Sequence, residues 1–147
     1  DVVGWLYCAN TGLNYPIVQT AMGWVADANL VIATTRAGGF GFLAGATIAA
    51  DQLEAEIKRV IAATGGSNFG LNFHMFQDNA AQCVDQAIQY RLRAVSYGRG
   101  PDKKTIARFK EAGVLLPTIG QLKDPSTIPA SAPASSAAAV RHGGNPA

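Results

Sequence analysis

The sequence predicts an α/β fold with parallel strands, and three observations carry that prediction. Short apolar runs alternate with helical patterns over residues 1–123. Every connection between them is short, so helices must serve as the crossovers between strands. The apolar runs lack polar alternation, as strands do when both faces are covered or when they line a barrel wall. The strand–helix unit recurs at about 25 residues, close to the step of an eightfold barrel.

Residues 1–14 give no clear element; Trp5, Leu6 and Tyr7 are apolar and Asn10-Thr11-Gly12 reads as a turn. The first strand is expected at 16–20. It runs into the small-residue loop Ala21-Met22-Gly23, where Gly23 lets a ligand approach the main chain. A helix over 26–36 follows, apolar nearly all round through Leu30, Val31, Ile32 and Ala33, and so expected to be buried on more than one side. Gly38-Gly39 ends it. Phe40-Gly41-Phe42-Leu43 is the second strand.

The helix over 49–63 has the clearest pattern. Leu53, Ile57, Val60 and Ile61 share one face, and Glu54 and Lys58 form an i,i+4 pair. The third strand, 68–73, alternates Phe69, Leu71 and Phe73. A third helix is expected over 79–91, with Asp78 as its N-cap and Ala80, Val84, Ala87 and Ile88 as its buried stripe. Cys83 reads as a small core residue. Leu92 to Ser96 is the fourth strand. A turn at 98–101 leads into a fourth helix ending near Ala112, with Ile106 and Phe109 facing inward. Val114-Leu115-Leu116-Pro117 is the fifth strand. From Asp124 onward, 15 of the 24 residues are Ala, Pro or Ser. Such a tail cannot bury enough apolar surface to offset its ordering entropy and is expected to be disordered.

Composition excludes some classes of function. The net charge is +2, and the only adjacent basic pairs are Lys58-Arg59 and Lys103-Lys104, which argues against a nucleic-acid surface. The longest uncharged apolar stretch, 37–50, is 14 residues long with four glycines, short of a membrane span. Asp1-Val2-Val3-Gly4-Trp5 has no basic n-region, so it does not read as a signal peptide. Cys8 and Cys83 match no zinc or redox spacing, and two free cysteines suit the cytoplasm. No metal site is expected.

Three segments in order, Pro16-Ile17-Val18-Gln19-Thr20-Ala21-Met22-Gly23, Ala37-Gly38-Gly39-Phe40-Gly41-Phe42-Leu43 and Phe69-Gly70-Leu71-Asn72-Phe73, resemble the nitronate monooxygenases. Close relatives of that family are FMN-dependent enoyl-thioester reductases and NADH:quinone reductases. The likeness covers roughly residues 14–122. It implies an FMN-binding (β/α)8 barrel, of which five parallel strands and four crossover helices can be read here. It implies cofactor contacts from Ala21, Met22, Gly23, Asn72 and His74. Ser96, Tyr97, Pro117 and Thr118 would line the substrate pocket at the same end. All of these positions fall where strands give way to loops, the catalytic end of such barrels.

The likeness has limits. The family's catalytic histidine follows a sixth strand, and none is legible before the Ala/Pro/Ser tail, so the role is carried onto no residue, His142 included. Residues 1–123 are therefore expected to be the N-terminal part of such a barrel, ended by truncation or frameshift, with 124–147 as a low-complexity tail. The implied activity is oxidation of alkyl nitronates to a carbonyl compound and nitrite. NAD(P)H-dependent reduction of an enoyl thioester or quinone is the alternative within the class. Outside it stand a non-catalytic fragment or interaction module and an unrelated small parallel α/β binding domain. The partner is a small molecule, FMN binding by this chain alone is expected to be weak, and open sheet edges invite self-association.

Overall fold

The computed structural model describes residues 12–98 and 103–116. Its elements in chain order are β1 (Val18–Gln19), α1 (Ala28–Arg36), β2 (Phe40–Ala44), a 3-10 turn (Gly45–Thr47), α2 (Ala50–Thr64), β3 (Gly70–His74), α3 (Ala80–Gln89), β4 (Ala94–Gly98) and α4 (Lys103–Glu111). The four strands lie side by side in the order β1-β2-β3-β4, and every pair is parallel. The expected fifth strand begins in its place: Leu115 bridges Ala94 in parallel, with Val95 N–H donating to Leu115 O at 2.9 Å and Leu115 N–H to Arg93 O at 3.0 Å. This sequential parallel order, with a helix between each pair of strands, is an arc of a (β/α)8 barrel. The Ala/Pro/Ser tail, the 98–101 turn beyond Gly98, and Pro117 and Thr118 lie outside the described residues.

Strand alternation sorts the side chains into two faces. Leu43, Phe69, Leu71, Phe73 and Val95 point toward the helices and are buried with Val31, Leu53, Ile57, Val60, Cys83, Val84, Ala87 and Phe109. Fully burying each such aliphatic or phenyl side chain contributes about 1.5–3 kcal/mol. The other face, the barrel's inside, holds Phe40, Phe42 and Ala94 with Leu13, and Ala21 and Leu115 pack half-buried against them. The Phe40 and Phe42 rings meet edge to face at 5.2 Å. Phe42 is level with Gly70, and a Cβ on Gly70 would lie 2.3 Å from the Phe42 ring. The glycine is therefore the space that this phenyl group fills.

Several element boundaries differ from the expected ones. The β1 ladder covers only Val18–Gln19, because Pro16 has no N–H to donate; Ile17 O nevertheless accepts from Phe40 N–H at 2.8 Å. Helix α1 starts two residues later than expected, with Asp27 as the N-cap accepting from Leu30 N–H. That bond, ahead of opposing desolvation, holds the Asp27 carboxyl below its ordinary range. The apolar face of α1 is narrower than expected: Ala28 and Val31 are buried, while Ala33 is exposed.

Asp78 is not a cap. Asn79 holds the cap position of α3 and makes no capping bond there, since its amide is committed elsewhere, as described below. Strand β4 lies two residues beyond the expected 92–96, because Leu92 N–H turns back to Ala87 O at 3.0 Å and so closes the α3 end. The pair Glu54–Lys58 does form, at 2.9 Å. It is joined by the Tyr90 hydroxyl, which donates to the Glu54 carboxylate and links α2 to the end of α3.

Candidate functional site

The register places an ordered set of positions on the inside face at the C-terminal end of the sheet. Ala44, Asn72 and Ser96 stand level with one another, and His74 and Gly98 form the next level outward. Asn72 Nδ2 donates to Ser96 O at 3.2 Å and to Ser96 Oγ at 3.0 Å. Ser96 is buried, so this pairing satisfies polar groups that water does not reach.

His74 is held from two directions. Its backbone N–H donates to Gln77 Oε1 at 2.8 Å. Its ring stacks on Phe76 with centroids 5.2 Å apart and planes 15° from parallel. The Nδ1 atom is buried and has no hydrogen-bond partner among the described residues. Gly98 stands opposite His74 in register.

The loop after β3 is tied to the loop after β2. Gln77 Nε2 donates to Ala46 O at 2.9 Å, and Asn79 Nδ2 donates to Gly45 O and Ile48 O, each at 3.2 Å. Gly45 permits this approach: a Cβ there would sit 2.8 Å from Leu71 Cδ1 and 3.0 Å from Asn72 O.

The loop after β1 completes the rim. Met22 O accepts from Val25 N–H at 3.1 Å and from Ala26 N–H at 2.8 Å, which curls the chain into a turn. Trp24 adopts a left-handed backbone, φ 59°, uncommon for a bulky residue, and its side chain is 88% exposed. Its N–H reaches Thr47 Oγ1 at 3.4 Å. The N–H groups of Ala21, Met22 and Gly23 donate to no acceptor among the described residues.

Of the positions singled out in the sequence, Ala21, Met22, Gly23, Asn72, His74 and Ser96 therefore lie at one end of the sheet. Tyr97 does not join them. It follows Ser96 by one residue, so its ring points to the helix side, 6.5 Å from Phe73, and burial there raises its phenol above the usual range. Pro117 and Thr118 lie outside the described residues. Gln77, Asn79 and Thr47 were not anticipated; polar residues in short loops carry no periodic signal. Gln77 and Asn79 donate to main-chain carbonyls some 30 positions away, and Thr47 accepts from Trp24 N–H 23 positions away.

Comparisons with known proteins agree with this fold. The nitronate monooxygenase family model matches residues 7–97. A (3aS,4S,5R,7aS)-5-hydroxy-7a-methyl-1-oxo-octahydro-1H-indene-4-carboxyl-CoA dehydrogenase of Mycobacterium tuberculosis (strain ATCC 25618 / H37Rv) is 45% identical over 113 residues, which is 76% of this chain and 32% of that protein. The enzyme of the same name from Rhodococcus jostii (strain RHA1) is 39% identical over the same length. The chain thus spans about a third of the length of these curated relatives. Among solved structures, FabK from Thermotoga maritima superposes with a TM-score of 0.68 at 25% identity, covering 75% of this chain and 35% of that one. Nitroalkane oxidase from Streptomyces ansochromogenes gives a TM-score of 0.65 at 28% identity, covering 76% and 41%. Carried by the family match across β1 to β4 and by the parallel arc that these barrels share, the chain belongs to the nitronate monooxygenase family.

Proposed function

We propose that this chain is the N-terminal part of a flavin-dependent oxidoreductase that dehydrogenates an acyl-CoA thioester with a fused-ring acyl group. The 45% identity to the M. tuberculosis dehydrogenase across three-quarters of the chain carries this reading. It exceeds the 28% identity to the nitroalkane oxidase over a similar stretch. Two cysteines without a metal or redox spacing fit a cytoplasmic enzyme.

The residues present fit the ring portion of FMN. The open N–H groups of Ala21, Met22 and Gly23 suit the polar edge of a flat heterocycle. Asn72, fixed by Ser96, offers a further polar contact. When bound, the flavin supplies the two-electron redox chemistry, while the protein orients the reactants. The phosphate in such barrels sits beyond the seventh and eighth strands, so the 147-residue chain alone is expected to hold FMN weakly and to turn over slowly or not at all. A few neutral hydrogen bonds of about 0.5–1.5 kcal/mol each do not offset the roughly 4–15 kcal/mol of lost translational and rotational freedom.

A second reading, oxidation of alkyl nitronates to carbonyl compound and nitrite, is favoured by the family match and the nitroalkane oxidase likeness. One experiment separates the two. Residues 12–116 replace the matching segment of the M. tuberculosis dehydrogenase. The chimera should bind FMN and oxidise that enzyme's thioester without releasing nitrite from propyl nitronate. Nitrite release by a flavin-loaded chimera inactive on the thioester would favour the second reading. A folded chimera that binds no flavin would defeat both.

A further inference from the structure

We propose that His74 reads a polar oxygen on the bound small molecule, while Phe76 holds apolar carbon beside it. The inference rests on the reading that the strand ends form the ligand site. It goes further by naming the group that selects the substrate and the class selected: an apolar molecule bearing a carbonyl or hydroxyl oxygen.

Four observations converge on His74. Alternation along β3 sends Phe73 to the helices and His74 to the inside, one level beyond the Asn72–Ser96 pair. Gly98 stands opposite it in register. Phe76 and Gln77 fix the ring and its backbone, and Gln77 is itself anchored on Ala46 O. Despite this support, Nδ1 is buried without a partner among the described residues. Buried polar atoms are almost always paired in native structures, so an unpaired one within a rigid frame points to a ligand that completes it. An imidazole nitrogen can donate to a carbonyl or accept from a hydroxyl, according to its tautomer. Phe76 lies against the ring yet is largely exposed, which supplies an apolar surface next to the polar atom. A ligand with both characters matches that pair; a purely apolar or a fully charged one matches only half of it.

The test uses the full chain labelled with 15N-histidine and carrying His142→Asn, so that only His74 reports. Cyclohexanone is the oxygen-bearing probe and cyclohexene the apolar one. Titration with cyclohexanone should move the His74 Nδ1 resonance saturably, and the ketone should bind about tenfold more tightly than cyclohexene, the effect of one hydrogen bond. His74→Phe, which keeps a ring without nitrogen, should abolish that preference, and His74→Gln should retain part of it. An unmoved Nδ1 resonance up to the solubility of the ketone, or an unchanged preference in a folded His74→Phe chain, overturns the proposal. FMN titration of the dehydrogenase chimera by fluorescence is run in parallel. Failure of FMN to bind while the ketone engages His74 would sink the flavin reading and leave this one standing. FMN binding with a ketone that ignores His74 would do the reverse.

Discussion

Asn72 and Ser96 face each other across neighbouring strands, and the Asn72 amide bonds both the carbonyl and the hydroxyl of Ser96. One side chain therefore fixes the spacing of β3 and β4 where the ligand is expected. Asn72→Leu should destabilise the chain by about 1–3 kcal/mol, since it leaves buried Ser96 groups unpaired. Ser96→Ala removes one acceptor and should cost less, about 0.5–1.5 kcal/mol. Urea unfolding of the two variants measures the difference, and equal midpoints would count against the pairing.

Gly70→Ala should destabilise by about 1–3 kcal/mol through overpacking against Phe42. Shortening the opposing ring in Gly70→Ala/Phe42→Leu should return part of that loss. Strict additivity of the two changes in denaturant unfolding would show that the contact is not the cause.

Asp27→Ala should cost about 1 kcal/mol, the usual value of an N-cap, while Asp27→Asn should cost little. The folded-state carboxyl titrates below its ordinary value of 3.8. Its contribution is therefore complete above that value and is lost as pH falls through the lowered one. The stability difference between wild type and Asp27→Ala should shrink below about pH 4; a constant difference down to acid unfolding would contradict the assignment.

Cys83 is fully buried, and desolvation pushes its thiol up to about 12. In a Cys8→Ser chain at pH 8, Cys83 should react with a disulfide reagent only as fast as the protein opens, and rapidly in urea. Fast labelling of the folded chain would show that the helix-side core is looser than described.

Self-association through the β1 edge follows as a proposal from the exposure of Tyr15, Ile17 and Val18 at the end of the strand order. Ile17→Lys should lower the sedimenting mass at high concentration without altering the far-ultraviolet spectrum. A wild-type chain that stays monomeric at every concentration refutes it.

What was legible in the sequence was periodic. The Leu53, Ile57, Val60 face and the Phe69, Leu71, Phe73 alternation lie in the core as read, because burial repeats with the helix or strand period. The strand order was equally legible, since short connections leave few alternatives. Boundaries set by single hydrogen bonds were not. Asp27 and Asp78 are both acidic residues just before a helix, and only the first caps it. The two-residue displacement of β4 mattered for the site. It kept Ser96 on the inside but turned Tyr97, read as its companion, to the opposite face. The Asn72–Ser96 bond could be placed at one end of the sheet but not foreseen as a pair, because register between strands is a tertiary property.

The two amides that moor the third loop to the second have a mechanical consequence. Gln77 and Asn79 together hold the carbonyls of Gly45, Ala46 and Ile48, so these two loops behave as a single stiff plate. A ligand that enters between the strand ends cannot push one aside without dragging the other. On the β1 side, the turn bearing Trp24 is tied to the same loop by Trp24 N–H to Thr47 at 3.4 Å and to the end of β2 by Ala44 N–H to Ala26 O at 2.9 Å.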